Sequence, residues 1–582
     1  MLRWLLFALG TAVSLPAHAQ LTAPVKNGDT TITVTGIRKS EAEMSNWRVA
    51  ETPHVVLFSS NREDNVRATA HNLEKLHFLL SALLGRVDAP DETIKIVVTM
   101  IGDAEEFEQL RLTESRWQYG PFTERFETAS YYDPREEGPV LATTAHGVVL
   151  VFSPSYGRPT TRNCDGNRGP AVLGHTIVRD RNAPGGPLSI EEEQLLSQFA
   201  VNEFTLCQSA ESRLYAGFAQ HYLMTYFPAA YPRWFLQGFG EIFATTKAGD
   251  DFLTFGQVPP GFSQVMEYYG DYPVAEVLDG RYLSGKGRPW TPYHAWRLVH
   301  FLYFSDEWKP RLHDYLNALA RGADPQSAAS AFGNLVRLQR TVAAYKGRKL
   351  HFQRMTFPAE HAAKPTVRRL TQAEVGLIRG RLELGARVDV PAEESRERSV
   401  ALTWRSAWLQ RLRTNARQYP DHIEHHLLLA EAECRSGNPD EGLAAAERAL
   451  AQSPTNTTAL VWKGTALVQL AVRAPAAERQ RLLNEARSYI VQANRLDLEG
   501  ILPLIAYYNS FVIAGEQAPD IAVEGLTKVV RSSPAAPSSR LKLGEELIKR
   551  GLIDGARNTL LPIAKGPFET PEQPAAAALL RD

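Results

Sequence analysis

The stretch RLYAGFAQHYLMTYFPAAYPRWFLQGFGEIFATT, residues 213–246, decides how the first part of this chain is interpreted. Two long apolar segments are separated by the prolines Pro228 and Pro232. Because proline disrupts a helix interior but suits a turn, the pattern predicts two helices joined by a proline-marked turn. The second helix starts near Trp234 and ends in a Gly-Phe-Gly-Glu run that closes on Glu241.

Upstream of these helices the sequence favours strands. Strands are predicted for four runs that alternate or are rich in β-branched residues: TITVTGI (31–37), HVVLFSS (54–60), TIKIVVTMI (93–101) and GVVLVFS (147–153). An amphipathic helix is predicted over residues 65–85, with leucines at helical spacing and Gly85 as its stop. Residues 154–190 are rich in Gly, Pro, Asn and Arg and predict a long surface loop. Strands followed by helices from about residue 190 predict an α+β domain.

The helix pair at residues 213–246 resembles the peptidase MA-like proteins, which are secreted bacterial zincin-like domains that often carry C-terminal tetratricopeptide repeats. Members look like H-E-x-x-H, then a turn with F-P, then W-x-x-E-G-x-x-E with aromatic residues and A-T. The matching residues are Phe227, Pro228, Trp234, Gly238, Phe239, Glu241, Phe243, Ala244 and Thr245. The resemblance covers most of residues 45–355 and implies a zincin-like fold.

The resemblance also implies where a zinc site would lie. Such a site needs two histidines four apart, a glutamate base beside the first, and a third ligand from the following helix. Aligned through Phe227-Pro228, the H-E-x-x-H positions read Ala216-Gly217-Phe218-Ala219-Gln220, and the third-ligand position is Gln237. A shift of one residue brings in His221 but leaves Gly217 as the other ligand. We therefore predict no metal site and no bound cofactor, with zinc only under the alternative below.

Four residues form the expected remnant of the cleft: Gln220, His221, Gln237 and Glu241. His221 and Glu241 could make a histidine–carboxylate pair near the lost zinc, or a satisfied core histidine and an ordinary helix carboxylate. None of the four is assigned a catalytic role. Peptide binding is predicted for Tyr231, Arg233 and Trp234, with a core position as the other interpretation for Trp234. GVVLVFS could add an edge strand to a ligand chain.

Other histidines were weighed as relocated ligands. They are His146, His175, His294 and His300. The segment HIEHH places His422 and His426 four apart, with His425 beside them, which could bind a transition metal weakly. The other interpretation is an exposed helix N-terminus after Pro420.

The C-terminal third is repetitive. LLLAEAECRSGNPDEGLAAAERALAQSPTN, residues 427–456, has small and turn residues where a tetratricopeptide repeat needs them. Three further near-periodic units follow, with Gly464 and Gly544 at positions where two helices must approach closely. The insertion AVRAPAAERQ (471–480) is predicted to lengthen one turn. The units predict an all-α solenoid, because each needs neighbours to bury its apolar face.

The N-terminus and the composition indicate export. Residues 1–19 have one arginine, a short apolar run and Ala17-His18-Ala19, which predicts a secretory signal peptide cut after Ala19. The chain therefore is expected to be periplasmic or secreted, with no membrane span after cleavage. A net charge of -1 gives no reason to expect nucleic acid. Of three cysteines, Cys164 and Cys207 could pair, and Cys434 is expected to pack in a repeat helix.

Together these observations predict the organisation of all 582 residues. The predicted segments are a signal peptide (1–19), an N-terminal extension (20–50), a zincin-like domain (51–380), a linker leading into helices (381–420) and tetratricopeptide repeats (421–582). The predicted function is non-catalytic binding of a protein or peptide through the repeats, with the former active-site cleft as a second candidate surface. The alternative is a zinc-dependent metallopeptidase with relocated ligands.

Overall fold

The computed structural model describes residues 44–87, 94–112, 130–152, 158–164, 171–172, 204–283, 290–345, 350–357, 364–391, 394–568 and 570–581. The predicted signal peptide, the strand at 31–37 and His175 lie outside the described residues.

A six-stranded mixed sheet organises the first part of the chain. Its strands are β1 Met44–Glu51, β2 Val55–Ser59, β3 Ile96–Ile101, β4 Ser130–Asp133, β5 Val140–Thr144 and β13 Thr366–Thr371. Their order is β13-β1-β2-β3-β5-β4, with β2, β3 and β5 parallel and the other pairs antiparallel. The predicted strands at 54–60 and 93–101 are confirmed. β1 is an inner strand that begins at Met44, within the extension assigned to residues 20–50, and the domain bounds stay a prediction.

Alternation along the strands gives the sheet two apolar faces. One face, with Leu57 and Val98, packs against helix α1 Glu63–Leu84, whose C-cap Gly85 has φ +68° as the predicted stop requires. The opposite face, with Val56 and Phe58, packs against α11 Gln372–Leu382. A sheet covered by helices on both sides agrees with the predicted α+β class, and the zincin-like assignment stays a prediction.

A second sheet holds β6 Gly147–Phe152, β7 Arg158–Cys164, β8 Ala171–Val172 and β9 Phe204–Gln208 in the order β7-β6-β9-β8. Whether GVVLVFS is an edge strand was open from the sequence, and β6 is an inner strand because it bonds to β7 on one side and β9 on the other. The prediction of one loop over 154–190 is wrong in part. Backbone pairing with β6 and β9 makes strands of β7 and β8 despite their turn-rich composition.

Cys164 and Cys207, whose pairing the sequence left open, form a disulfide that joins β7 to β9. β6 lies between these two strands, and its Gly147 sits beneath the bond. A Cβ atom at Gly147 would come within 3.2 Å of the Cys164 Sγ atom and 2.5 Å of its carbonyl oxygen. Only glycine therefore allows the two cysteines to approach across this strand.

Helices and a small three-stranded sheet complete the first part. The strands are β10 Lys247–Ala248, β11 Phe252–Phe255 and β12 Gln353–Thr356. The helices are α2 Ala104–Gln109, α3 Ala210–Tyr226, α4 Arg233–Ala244, α5 Phe262–Tyr269, α6 Val274–Leu278, α7 Pro292–Tyr303, α8 Trp308–Ala320, α9 Pro325–Ala328 and α10 Leu335–Ala344. The predicted helix pair with its proline-marked turn is thus confirmed as α3 and α4.

The C-terminal third is an array of paired helices. After α12 Leu384–Val388 and α13 Arg396–Gln418, the pairs are α14 Ile423–Arg435 with α15 Pro439–Gln452, α16 Thr457–Arg473 with α17 Ala476–Leu496, α18 Ile501–Ala514 with α19 Asp520–Ser532, and α20 Pro537–Lys549 with α21 Ile553–Ala564. A last helix, α22, spans Gln573–Leu579. The succession of pairs fits a tetratricopeptide solenoid.

Glycines set the spacing within the pairs. A Cβ atom at Gly464 would lie 2.6 Å from Ile490 and 2.8 Å from the carbonyl oxygen of Ala486, and one at Gly544 would lie 2.4 Å from Leu560. The prediction of close helix contact at both glycines is confirmed. The inserted residues 471–480, however, do not lengthen a turn. They extend α16 and α17, which are separated by only Ala474 and Pro475.

A short acidic loop, residues 134–139 between β4 and β5, joins the first part to the repeats. The hydroxyl of Ser539 donates to the carboxylate of Glu136 at 2.7 Å, and Ser533 donates to the Glu136 carbonyl. In the same loop, Arg135 donates to the carbonyls of Arg381 and Leu382 at 2.6 and 2.9 Å. The loop thus contacts α11 and the α19–α20 corner at once.

Candidate functional site

The cleft predicted by the resemblance lies where α4 packs between α3 and α7. Two glycines of α4 make this packing possible. A Cβ atom at Gly238 would come within 2.4 Å of the Ala295 carbonyl on α7, and one at Gly240 within 2.7 Å of the Gln220 amide on α3. The Gly-Phe-Gly run therefore brings three helices into contact and positions Glu241 at their junction.

Four of the family-aligned positions do meet there, Gly217 among them. Ala216 and Gln220 of α3 and Glu241 of α4 line one cavity of about 40 Å³, together with Tyr132 and Arg213. This volume holds only a few water molecules. The base position is closed further by packing, since a Cβ atom at Gly217 would lie 2.9 Å from the Leu141 side chain on β5. At the aligned positions the cavity therefore has neither histidine side chains nor space for a glutamate.

Glu241 is the ionisable group that gives this cavity its chemistry. The side chain is buried, and no described residue forms a hydrogen bond or ion pair with its carboxylate. Burial in these surroundings raises the pKa of Glu241 to about 7. The carboxyl group is therefore mostly protonated in weakly acidic solution and can accept a proton near neutral pH.

Gln237, at the third-ligand position, is not in this cavity's lining. Its amide oxygen accepts a hydrogen bond from the Trp290 indole at 3.2 Å, and its amide nitrogen has no partner among the described residues. The Gln237 side chain thus helps α4 to pack against the segment before α7. A glutamate there would place a charge in the same buried position.

His221 points to a different cavity. Its Nδ1 atom hydrogen-bonds to the hydroxyls of Tyr132 at 2.9 Å and Thr225 at 3.1 Å. Burial, with the nearby His77, lowers the pKa of His221 to about 3, so the ring stays neutral. No ion pair joins His221 to Glu241 among the described residues. Of the two interpretations left open, the contacts agree with a satisfied core histidine, since Tyr132 and Thr225 bond to Nδ1.

The three residues predicted to hold a peptide are all buried. Trp234 is 1% exposed and packs against Tyr315 in the main core. The Tyr231 hydroxyl donates to the carbonyl of Phe227, and Arg233 donates to the carbonyl of Pro567 near α22. In this arrangement they stabilise the α3–α4 turn and the contact with the C-terminal helix, and they present no open surface.

The other histidines considered as ligands are dispersed. His294 caps α7 through Thr291 and bonds to the Gly270 carbonyl, while His300 bonds to Tyr345 and to the Gly256 carbonyl. Burial lowers the pKa of His300 to about 4. His146 is exposed at the turn between β5 and β6. Among the described residues, no three His, Cys, Asp or Glu side chains are grouped to hold a metal.

The HIEHH segment is not the exposed helix N-terminus that the sequence favoured. His425 and His426 are buried, because α14 packs against α11, and their Nε2 atoms bond to the carbonyls of Ala373 and Pro420. His422 pairs with Glu424 at 2.8 Å. The rings of His422 and His425 also meet edge to face, with centroids 5.2 Å apart. Cys434 is buried in the same helix, as predicted.

Two histidines that were not predicted as site residues, His54 and His77, line a cavity. His54, at the start of β2, stacks on His77 of α1 with ring centroids 3.7 Å apart, and both line the cavity that contains His221. The Nδ1 atom of His54 lies 2.8 Å from the Glu74 carboxylate. The sequence positions of His54 and His77 do not predict that their rings stack, because the contact depends on how α1 crosses the sheet.

The repeats contribute a separate candidate surface. A groove of about 320 Å³ lies between the acidic loop and helices α14, α16, α18 and α20. On α16, the indole nitrogen of Trp462 and the amide oxygen of Gln469 are buried without hydrogen-bond partners among the described residues. Lys542 of α20 also lines the groove, and burial lowers its pKa although Glu136 opposes this effect.

None of the described helices combines the length and the apolarity needed to cross a membrane.

Comparison with known proteins gives limited matches. No family model matches the chain, and no curated protein matches it. Among solved structures the chain is similar to a thermophilic TPR protein in Thermus thermophilus, at 18% identity over 36% of this chain and 100% of that one, with a TM-score of 0.29. It is also similar to MamA, at 15% identity over 30% of this chain and 96% of that one, with a TM-score of 0.22. With TM-scores this low, the assignment of the repeat fold rests on the helix pairs themselves.

Proposed function

We propose that this protein is exported and binds a protein or peptide partner in the groove of its repeats without hydrolysing it. The observation that carries the proposal is the set of unpartnered polar atoms in that groove. A buried indole N–H on Trp462 and a buried amide oxygen on Gln469 each lack a hydrogen bond within the described chain. Such groups are costly to bury unless a ligand or water satisfies them.

The two side chains suit an extended peptide. They lie seven residues apart on α16, which places them two turns apart on one helix face. One is a donor and the other an acceptor, so a rotation of each side chain toward the groove lets them match the carbonyl and N–H groups of a passing backbone. Solenoid repeats commonly use such extended inner surfaces to bind partners. Lys542 adds a positive charge at the end of the groove.

The cleft at Glu241 gives weaker support for partner binding than the groove does. It gives still weaker support for catalysis. Its cavity of about 40 Å³ is too small for a peptide, and its one proton-transfer group, Glu241, faces no metal ligand among the described residues. We therefore assign partner binding to the groove rather than to the cleft.

The alternative, a zinc metallopeptidase with relocated ligands, loses its proposed pair because His221 and Glu241 line different cavities. It would require ligands from parts of the chain that the structure leaves undescribed. Its direct test is metal analysis of the full-length protein purified without added metal. Stoichiometric zinc, together with zinc-dependent cleavage of casein that Glu241→Gln abolishes, would establish the enzyme and end the non-catalytic proposal.

Partner binding is tested by site-specific photo-crosslinking in the intact chain. A photoreactive residue replacing Asn509, which lines the groove, is expected to give a discrete crosslinked product in an extract of the source cells. The same residue replacing Arg448, exposed on α15, serves as the matched control. Trp462→Phe removes the indole donor and is expected to reduce the Asn509 product. Equal labelling from both positions would contradict the proposal.

Export is tested separately. N-terminal sequencing of the mature protein is expected to begin at Gln20, because the predicted cleavage follows Ala19. Recovery of the intact N-terminus from the cytoplasm would contradict export and leave the binding proposal standing.

A further inference from the structure

A second cavity, of about 380 Å³, lies between the first part of the chain and the repeats. One wall comes from His54 just before β2, from β3, and from helices α1 and α3, and the other from the end of α19 and the segment leading into α20. The cavity is several times larger than the cleft at Glu241 and adjoins the groove described above, with which it shares Pro134 and Arg135. It has the size of a small-molecule site and the position, between two parts of a chain, where such sites are often found.

The wall from the first part is largely aromatic. Phe218, Tyr222 and Tyr226 of α3 line it, and the stacked rings of His54 and His77 extend the same surface. Tyr222 is fully buried and supports Tyr226, with ring centroids 4.6 Å apart, and the Arg86 guanidinium lies over the Tyr226 ring at 3.6 Å. Flat aromatic surfaces favour the stacking or edge contact of a planar, apolar ligand.

His221 supplies a hydrogen-bond donor to the cavity. Its Nδ1 atom is bonded to the Tyr132 hydroxyl, a buried phenol that keeps its proton because burial raises the pKa of Tyr132. When that O–H donates to Nδ1, the ring proton belongs on Nε2. The imidazole is 5% exposed and lines the cavity, and no described residue bonds to Nε2. The unused N–H is therefore available to a ligand acceptor.

Charge at the cavity has one sign. The described lining residues include no aspartate or glutamate and four cations: Arg86, Arg135, Lys528 and Arg531. Two of these are neutralised, Arg135 by Asp133 and Lys528 by Glu499. Arg531 lies exposed on α19 and forms no ion pair with any described residue. A ligand with a negative group therefore meets a favourable potential at the repeat side.

We propose that this cavity binds a small organic anion in which a carboxylate is attached to an aromatic ring. The ring lies against Tyr226 and His54, the half-buried aromatic side chains of this wall, and the carboxylate accepts a hydrogen bond from the His221 Nε2 atom and pairs with Arg531. The ligand touches both parts of the chain and so stabilises their contact. This inference does not depend on the groove or on its partner.

The test is calorimetric titration of the full-length protein with four probes. Phenylpropionate carries both features, phenylpropionamide lacks the charge, and acetate lacks the ring. N-acetylphenylalanine presents the same chemistry as the C-terminus of a peptide. We expect one molar equivalent of phenylpropionate to bind at least roughly tenfold more tightly than either phenylpropionamide or acetate. The amide loses the charge-assisted hydrogen bond, and acetate loses the ring contact. Tighter binding of N-acetylphenylalanine would identify a peptide terminus as the natural source.

Variants locate the site. Arg531→Gln and His221→Gln are each expected to weaken phenylpropionate binding roughly tenfold. Arg448→Gln, an exposed arginine of α15, is the matched control and should bind as the parent does. Arg531 is exposed, so its replacement tests the site even if the His221 variant folds poorly. No binding of either aromatic acid, equal affinity for acid and amide, or unchanged affinity in the Arg531 variant would overturn the proposal.

Discussion

Replacing Glu241 with glutamine should make the stability of this protein less dependent on pH. Burial raises the pKa of Glu241 to about 7 from an ordinary value of 4.5. Between these values the folded chain holds a proton that the unfolded chain has released. The free energy of unfolding therefore falls as pH rises, by about 1.4 kcal/mol per pH unit.

Over the whole interval this loss amounts to about 3 kcal/mol. The contribution is fully present below pH 4.5 and is gone above pH 7, where a buried carboxylate is ionised without a partner among the described residues. Glutamine has nearly the same shape as the protonated acid and does not ionise. We therefore expect the glutamine variant to be more stable than the parent at pH 8 and close to it at pH 5.

The assay is differential scanning calorimetry of both proteins from pH 5 to pH 8.5. For a folded part of this size, a difference of about 3 kcal/mol corresponds to a change in melting temperature of roughly 3–6 °C. Glu267→Gln, an exposed glutamate of α5, is the matched control and should follow the parent. Parallel melting curves for the parent and the Glu241 variant across this range would refute the assignment of a buried, unpaired acid. Zinc that raises the melting temperature of the parent alone would show instead that Glu241 belongs to a metal site.

Three further outcomes follow from the packing. Gly464→Ala should destabilise the repeats by about 2–4 kcal/mol in urea unfolding, because its Cβ would lie 2.8 Å from the Ala486 carbonyl oxygen. The control Gly555→Ala should be neutral or slightly stabilising, because the nearest atom to its Cβ is 3.6 Å away. Reduction of the disulfide between Cys164 and Cys207 should cost about 4 kcal/mol by loop closure and lower the melting temperature. Ser539→Ala removes a bond from the repeats to the acidic loop and should speed hydrogen exchange in α20, with an unchanged rate contradicting the role of that loop.

Local features of the fold were predictable because they depend on neighbours in the sequence. The leucine spacing of residues 65–85 and the stop at Gly85 indicated α1, and the prolines between α3 and α4 indicated their turn. The small residues of the repeats indicated helix pairs in close contact. The prediction of a lengthened turn failed because residues 471–480 are mostly Ala, Arg, Glu and Gln, which favour helices and extend α16 and α17 up to Ala474 and Pro475.

The candidate site was predictable only in part. Alignment placed Ala216, Gln220 and Glu241 together, and they do line one cavity. The partner of His221 could not be deduced, because Tyr132 comes from a strand 89 residues away in sequence. The stacked pair of His54 and His77 was missed for the same reason.

The sequence by itself determined the helix pairs, most strand positions and the absence of zinc-binding side chains at residues 216, 220 and 237, since each follows from residue type and local periodicity. Only the tertiary structure decided that His221 faces the repeats rather than Glu241, that β6 is an inner strand, and that an acidic loop lies against the inner helices of the array. Those outcomes depend on which distant elements compete for the same hydrogen bonds and apolar surface, and periodicity along one segment carries no information about that competition.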